Sequence, residues 1–356
     1  MTMPEDSNPP LPDRGFLFGE ERIAPGTQRS FDLPISRLSS GQSATMPVRI
    51  FHGAKPGPTL FVSAAIHGDE ITGVEIVRRL LKRVSPKMLA GTLMCVPIVN
   101  VYGFVGNSRY LPDRRDLNRS FPGSPRGSLA SQLAYIFRTQ VIERADFGID
   151  LHSAAIHRMN LPQIRVSHDS PRAQELALVF GAPAVITAPL RENSLRKVAA
   201  MGGVEMLLYE AGEGLRFDDL SIRTGLNGIL RVMAAMGMIA PKRLPAALPV
   251  SARSNSTAWV RAPRGGLCLM EKKSGDVVTE GQALAIVTDP LSEDDEVVRA
   301  PFDGVIIGHA TMPIVNRGDA LLHIAMVERH DTVEHRVNAI SDTILSDVML
   351  DEDEIL

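Results

Sequence analysis

A chain of 356 residues, 44% hydrophobic and 22% charged with a mean hydropathy of +0.02, has the make-up of a globular protein that is long for one hydrophobic core. Its net charge of −3 offers no general attraction to nucleic acid or to an anionic membrane surface, so the expected partner is a small molecule or a peptide. Only Cys95 and Cys268 are present, which excludes a disulfide framework and a thiolate zinc site and fits a reducing, cytoplasmic compartment.

The first residues, MTMPEDSNPPLPDRG, are polar and Pro-rich, without the basic-then-apolar order of a signal peptide, and 1–25 is read as a loosely ordered N-terminal segment. No apolar stretch reaches membrane-spanning length. Alternating residues around Phe31, Leu33 and Ile35, and again around Met46, Val48 and Ile50, predict one or two strands. After a turn at 54–58, TLFVSAAI is almost continuously apolar, as a strand buried on both faces of a sheet tends to be.

Val74, Val77, Leu81 and Val84 recur at helical spacing, and GTLMCVPIVN at 91–100 is the next buried strand. A helix between two buried strands is the grammar of a parallel sheet. A long loop is expected over 101–127, a helix over 128–145 and a strand at Phe147–His152. Further strands are predicted at 163–167, 184–188 and 204–209, with helices at 173–180 and 226–238. Such sheets bind ligands beyond the carboxyl ends of their strands, where His67, His152 and Glu210 all fall.

Pro, Ala and Ser dominate 239–256, the expected linker. Beyond it, Ala262-Pro263-x-x-Gly266 and Ala300-Pro301-x-x-Gly304 each open a unit that continues through a β-branched pair, Val277-Val278 or Ile314-Val315. The repeat of roughly 38 residues predicts two similar short β units packed face to face as a small sandwich over 257–330. The tail, 331–356, ends in Asp351-Glu352-Asp353-Glu354 and is read as a solvated acidic end.

Four motifs carry chemistry. His67-Gly68-Asp69-Glu70 closes the first buried strand, and Asp150-Leu151-His152-Ser153 closes another. His67, Glu70 and His152 together form the ligand type of hydrolytic zinc enzymes, one ion per chain. Asp116-Leu117-Asn118-Arg119, in the long loop with Arg109 upstream, offers a carboxylate clamp, since a guanidinium holds a carboxylate bidentately. Leu207-Leu208-Tyr209-Glu210 is an apolar strand ending in a carboxylate suited to general base work, with Glu213 as the alternative base.

In order and spacing, His67-Gly68-Asp69-Glu70, Arg109-Tyr110, Asp116-Leu117-Asn118-Arg119, Asp150-Leu151-His152 and Glu210 resemble the succinylglutamate desuccinylase/aspartoacylase family, relatives of the zinc carboxypeptidases, over roughly residues 45–240. The resemblance implies an α/β fold with a mixed, mostly parallel sheet covered by helices on both faces, in a catalytic domain over 26–245. It implies zinc on His67, Glu70 and His152, and Glu210 as general base then acid. It places Asn118 and Arg119 on the substrate carboxylate and Arg109 on the scissile carbonyl or the substrate. The Arg109–Asn118 run is slightly longer than in better-known members, which brings Arg114 and Arg115 into contention for the Arg109 role.

The repeat at 257–330 resembles a biotinyl/lipoyl-type barrel-sandwich, but the connection between its halves, Asp289–Glu296, has no acceptor lysine. A swinging-arm cofactor is therefore not expected, and this region is read as shaping the site mouth or building a homo-oligomer. His309 and His323 are read as surface or core histidines. The expected activity is hydrolysis of the amide bond of an N-acyl amino acid. The alternatives are a carboxypeptidase-like metallopeptidase and, in another class, a non-catalytic metal-binding or carrier protein.

Overall fold

The fold, taken from a computed structural model, is described for residues 15–241, 251–291 and 294–327. The acidic tail over 331–356 and residues 1–14 lie outside them. Residues 15–25 depart from the expectation of a loose segment. They pair as a short hairpin, Phe16–Phe18 with Glu21–Ile23, because Phe18 and Ile23 are buried in the apolar cluster below.

The catalytic region is organised around four parallel strands in the spatial order Ala90–Val96, Lys55–Ala64, Phe147–His152, Glu205–Gly212. Flanking strands run antiparallel. Ser43–His52 and then Thr27–Arg37 extend one side, and Arg158–Val166 lies against Glu205–Gly212 on the other. The sheet is therefore mixed, parallel at its centre and again where Ala184–Thr187 pairs with Arg158–Val166.

Alternation along these strands sorts side chains into two cores. Val62, Ile149, Leu151, Leu207 and Tyr209 face helices Thr72–Arg83, Pro171–Phe180 and Asp219–Ala235. Phe61, Met94 and Met206 face helices Leu129–Gln140 and Leu195–Met201. The second of these helices had no counterpart in the sequence reading, where Arg196 and Lys197 obscure a short apolar pattern.

Element ends moved for local reasons. The helix expected to begin at 226 starts at Asp219, capped by Asp218, whose carboxylate accepts from the Ser221 amide at 2.9 Å. The loop over 101–127 contains a helical turn, Val101–Val105, whose Asn100 cap accepts from the Gly103 amide at 2.9 Å.

The C-terminal strands do not pair as a detached module. Gly304–Ala310 lies antiparallel on Arg158–Val166, and Ala320–Met326 and Thr257–Arg261 follow, so the sheet continues through both halves of the chain to 13 strands. A separate four-stranded sheet, Asp295–Arg299, Ala283–Thr288, Gly266–Met270 and Ile314–Val315, covers an apolar cluster that includes Cys268, Leu284, Leu322 and Ile324. Within the expected linker, Ala252–Ser254 pairs in parallel with Ala184–Thr187; 242–250 lie outside the described residues. No helix among the described residues is long and apolar enough to cross a membrane.

His323 sits in this extension, stacked on Trp259 with ring centroids 4.4 Å apart and its Nε2 2.9 Å from Thr257 Oγ1. Burial, with Arg165 nearby, pushes its pKa down to about 3 from an ordinary 6.5. Between those values the unfolded chain binds the extra proton and the folded one does not. Stability should therefore be complete above pH 6.5 and fall as pH drops toward 3, by at most about 1.4 kcal/mol per pH unit for this one group. Denaturant unfolding across that range checks it: His323→Phe, which keeps the stack and removes the titration, should flatten the slope.

Candidate metal centre

Strand geometry brings three of the sequence-selected residues to one point. The Lys55–Ala64 strand ends at a left-handed residue, Ala65 at φ 52, which swings the chain so that His67 turns back over the sheet. Gly68 lies so close to the backbone of Gly103 that a Cβ would fall 1.9 Å from its carbonyl carbon, so the turn requires glycine. His152 ends the neighbouring strand. His67, Glu70 and His152 are all buried, with ligand atoms within 4.8 Å of one another.

The Glu70 carboxylate stands between the two imidazoles: its Oε1 is 2.6 Å from His67 Nδ1 and its Oε2 2.7 Å from His152 Nδ1. The outer ring nitrogens are taken by two further carboxylates, His67 Nε2 by Asp116 at 3.1 Å and His152 Nε2 by Asp150 at 2.7 Å. Asp150 in turn accepts from Ser63 Oγ at 2.7 Å, and the Ser153 amide donates to Glu70 Oε2 at 3.1 Å. Arg109 bridges Glu70 and Asp116, donating to each at 3.1 Å. With Asp69 included, four carboxyl groups surround this point against one guanidinium.

The chemistry of this donor set fits a divalent cation. Each histidine has its Nε2 oriented by a carboxylate, which leaves Nδ1 to face inward, the arrangement that fixes a metal-binding imidazole and raises its basicity. Burial disfavours ionisation of Glu70, but His67 and His152 outweigh it and hold the carboxyl far below the ordinary range. Burial likewise opposes protonation of His152, and Asp150 and Glu70 overcome it, raising its pKa well above the usual value. Asp69 lies at the same place: burial and Glu70 raise its pKa, one carboxyl oxygen has no partner, and its backbone oxygen accepts from Leu215.

Glu210 stands beside this cluster. It is the register partner of His152 on the adjacent parallel strand, so both side chains leave the same face of the sheet, and it lies within the Glu205–Gly212 strand rather than at its end. Asn160 Nδ2 donates to its Oε2 at 3.0 Å. Glu213, the alternative base, is buried and engaged elsewhere, accepting from the His157 amide at 2.9 Å and from Thr311 Oγ1 at 3.4 Å.

Arg114 and Arg115 are exposed, whereas Arg109 reaches the cluster. Asn118 Oδ1 accepts from the Leu195 amide at 2.9 Å, which ties the long loop to the start of the Leu195–Met201 helix. Arg119 is exposed and donates only to the Asn118 backbone oxygen, at 2.6 Å.

Two arginines were missed by the sequence reading. Arg165 pairs in register with Leu208, and Leu208 with Asp150, so Arg165 shares the face that carries Asp150 and Glu210. Arg196 follows Leu195 at the start of its helix. Arg165 Nε and Arg196 Nη1 are buried without a hydrogen-bond partner among the described residues. Burial and the proximity of Arg165 lower the Arg196 pKa to about 10, while Glu210 acts in the opposite sense. An Arg between Ile164 and Val166 in a mostly apolar strand was the available signal.

Because Asp150 orients His152 from behind, Asp150→Ala should weaken metal affinity about 10- to 100-fold without unfolding the protein. Ser63→Ala should act in the same direction and less. Competition against a chromophoric chelator measures both.

Comparison with known proteins places the chain. Residues 56–236 match the profile of the Succinylglutamate desuccinylase/Aspartoacylase catalytic domain. Over 319 residues, 85% of this chain and 93% of the relative, it is 30% identical to the N-alpha-acetyl-L-2,4-diaminobutyric acid deacetylase of Halomonas elongata. Among solved structures it resembles a succinylglutamate desuccinylase/aspartoacylase from Rhodobacter sphaeroides, with 26% identity and a TM-score of 0.75 over 85% of this chain and 96% of that one. The product-bound ectoine utilization protein EutE from Ruegeria pomeroyi has the same fold, with 24% identity and a TM-score of 0.74 over 85% and 97% of the two chains.

Proposed function

The chain belongs to the succinylglutamate desuccinylase/aspartoacylase family, and from that premise we propose that it is a zinc-dependent hydrolase of the amide bond of an N-acyl amino acid. The observation that carries this reading is the buried His67, Glu70, His152 cluster with Glu210 in register beside it. The deacetylase activity named for the Halomonas relative supports it.

His67, Glu70 and His152 would hold the ion, which supplies Lewis-acid polarisation of the acyl carbonyl and of the attacking water. Glu210 accepts a proton from that water as its oxygen bonds to the acyl carbon. It then returns the proton to the nitrogen as the C–N bond breaks, which yields a carboxylic acid and an amine; the acid's proton passes to the amine to leave carboxylate and ammonium. Arg109, beside Glu70, assists at the carbonyl oxygen where negative charge develops.

The carboxylate of the amino-acid part is held by Asn118 and Arg119, within the long loop over 101–127. Arg165 and Arg196 add two guanidiniums near Glu210, each with one buried nitrogen that has no hydrogen-bond partner among the described residues, which favours an anionic group there over a cationic one. Residues 257–330 act as a second structural unit rather than a carrier, since Asp289–Glu296 contains no lysine. We expect a homo-oligomer in the cytoplasm, with one zinc per chain.

A panel of N-acyl amino acids and short peptides, assayed with zinc and after its removal by chelator, tests the activity. Turnover of N-acyl amino acids, lost on chelation and restored by zinc, is expected. Preference for peptides would install the metallopeptidase reading, and turnover indifferent to chelation would remove the zinc one. Glu210→Ala should lower kcat by at least about 100-fold with zinc still bound. Arg165→Ala and Arg196→Ala should raise KM for acidic substrates about tenfold or more and leave substrates without a second carboxylate less affected.

A further inference from the structure

We propose that Asn160 is the positioning residue for the Glu210 carboxylate, and that a strand from the C-terminal half, through Gly308, keeps Asn160 in place. The inference rests on the reading of Glu210 as the general base. Asn160 Nδ2 donates to Glu210 Oε2 at 3.0 Å.

The bond depends on an irregularity. Along the antiparallel pair of Glu205–Gly212 and Arg158–Val166, Glu210 opposes Gln163, but Gly212 opposes Asn160 instead of Leu161. Regular alternation from Gln163 would put Asn160 on the opposite face of the sheet. The irregularity brings Asn160 opposite Gly212, on the face of Glu210, in the way bulges re-aim side chains beside active sites. Leu161, next to it, packs with Val305 and Ile307 of the C-terminal half.

The C-terminal half then closes over Asn160. Gly308, in the Gly304–Ala310 strand, is its register partner on the far side. A Cβ at Gly308 would lie 2.9 Å from Asn160 Oδ1 and 3.4 Å from the Met159 backbone oxygen. The bare backbone at 308 is what lets the amide stay turned toward Glu210. The strand is held there by Gln163 Nε2, which donates to the Ile307 oxygen at 3.1 Å, and by Ser274 Oγ, which reaches both the Met159 oxygen at 3.2 Å and His309 Nδ1 at 2.7 Å. A carboxylate that shuttles a proton needs its oxygens aimed at water and then at nitrogen, and an amide donor on one oxygen fixes that aim while leaving the other oxygen to react.

Steady-state kinetics on the zinc-loaded full chain test this. Asn160→Ala and the isosteric Asn160→Asp should each lower kcat on the order of tenfold, with KM within about twofold and zinc content unchanged. Gly308→Ala, which touches neither the ion nor Glu210, should lower kcat in the same direction through the displaced amide. In the Asn160→Ala background Gly308→Ala should have no further effect, and in the Glu210→Ala background Asn160→Ala should have none, because coupled residues are non-additive. Unfolding midpoints of the variants separate lost folding from lost positioning. Asn160 variants with wild-type kcat, a loss that falls on KM, or a Gly308→Ala effect that persists without Asn160 would each overturn the proposal. Full turnover by Glu210→Ala would instead overturn the base assignment on which it rests.

Discussion

The structure around the site depends on one buried carboxylate, that of Glu70, held between His67 Nδ1 and His152 Nδ1. Burying a charge this deeply is tolerated only with compensation, and Glu70 has two imidazoles, Arg109 and the Ser153 amide. Asp116 and Asp150 behind the imidazoles add negative charge that Arg109 alone does not balance. An excess of carboxylate around inward-facing ring nitrogens is the electrostatic shape of a cation site. Much of the surrounding structure, from the Ala65 kink to the Gly68–Gly103 approach, serves to hold those three side chains at one point.

Layers of support extend outward from that point along the sheet. Ser63, Asp150 and His152 lie on the two central strands, Glu210 on the next, and Asn160 and Arg165 on the one beyond. The C-terminal strands continue the same hydrogen-bonded ladder, so a site built by the first half of the chain is buttressed by the second. The two halves are joined by a sheet rather than a hinge, and an element far along the sequence can thus influence a carboxylate beside the His67–Glu70–His152 cluster.

The ligand set was legible because each ligand sits at the end of a strongly apolar strand, where the change from hydrophobic to His-containing sequence is abrupt. Asn118 and Arg119 were legible as residue types but not as contacts. Asn118 is tied to the Leu195 amide, seventy-seven positions away, and no local pattern encodes that. Asp116 and Asp150 stood within quoted motifs, yet their service to the imidazoles appears only when the rings are oriented. Arg165 and Arg196 lay in segments read for their secondary structure, and their shared face depends on an antiparallel register that single-strand periodicity does not contain.

The sequence by itself determined most elements of the catalytic region, the α/β character, the candidate ligand residue types and the absence of an acceptor lysine, since each follows from local spacing and residue chemistry. Tertiary structure alone decided which strands run antiparallel, that the sheet runs on into the C-terminal half, that residues 15–25 are packed, and which charges are paired. The physical reason is the range of the interactions. Helical and strand periodicities act over a few residues, whereas strand order, register and the sharing of a buried charge are settled among segments a hundred residues apart, by which pairing leaves the fewest unsatisfied groups.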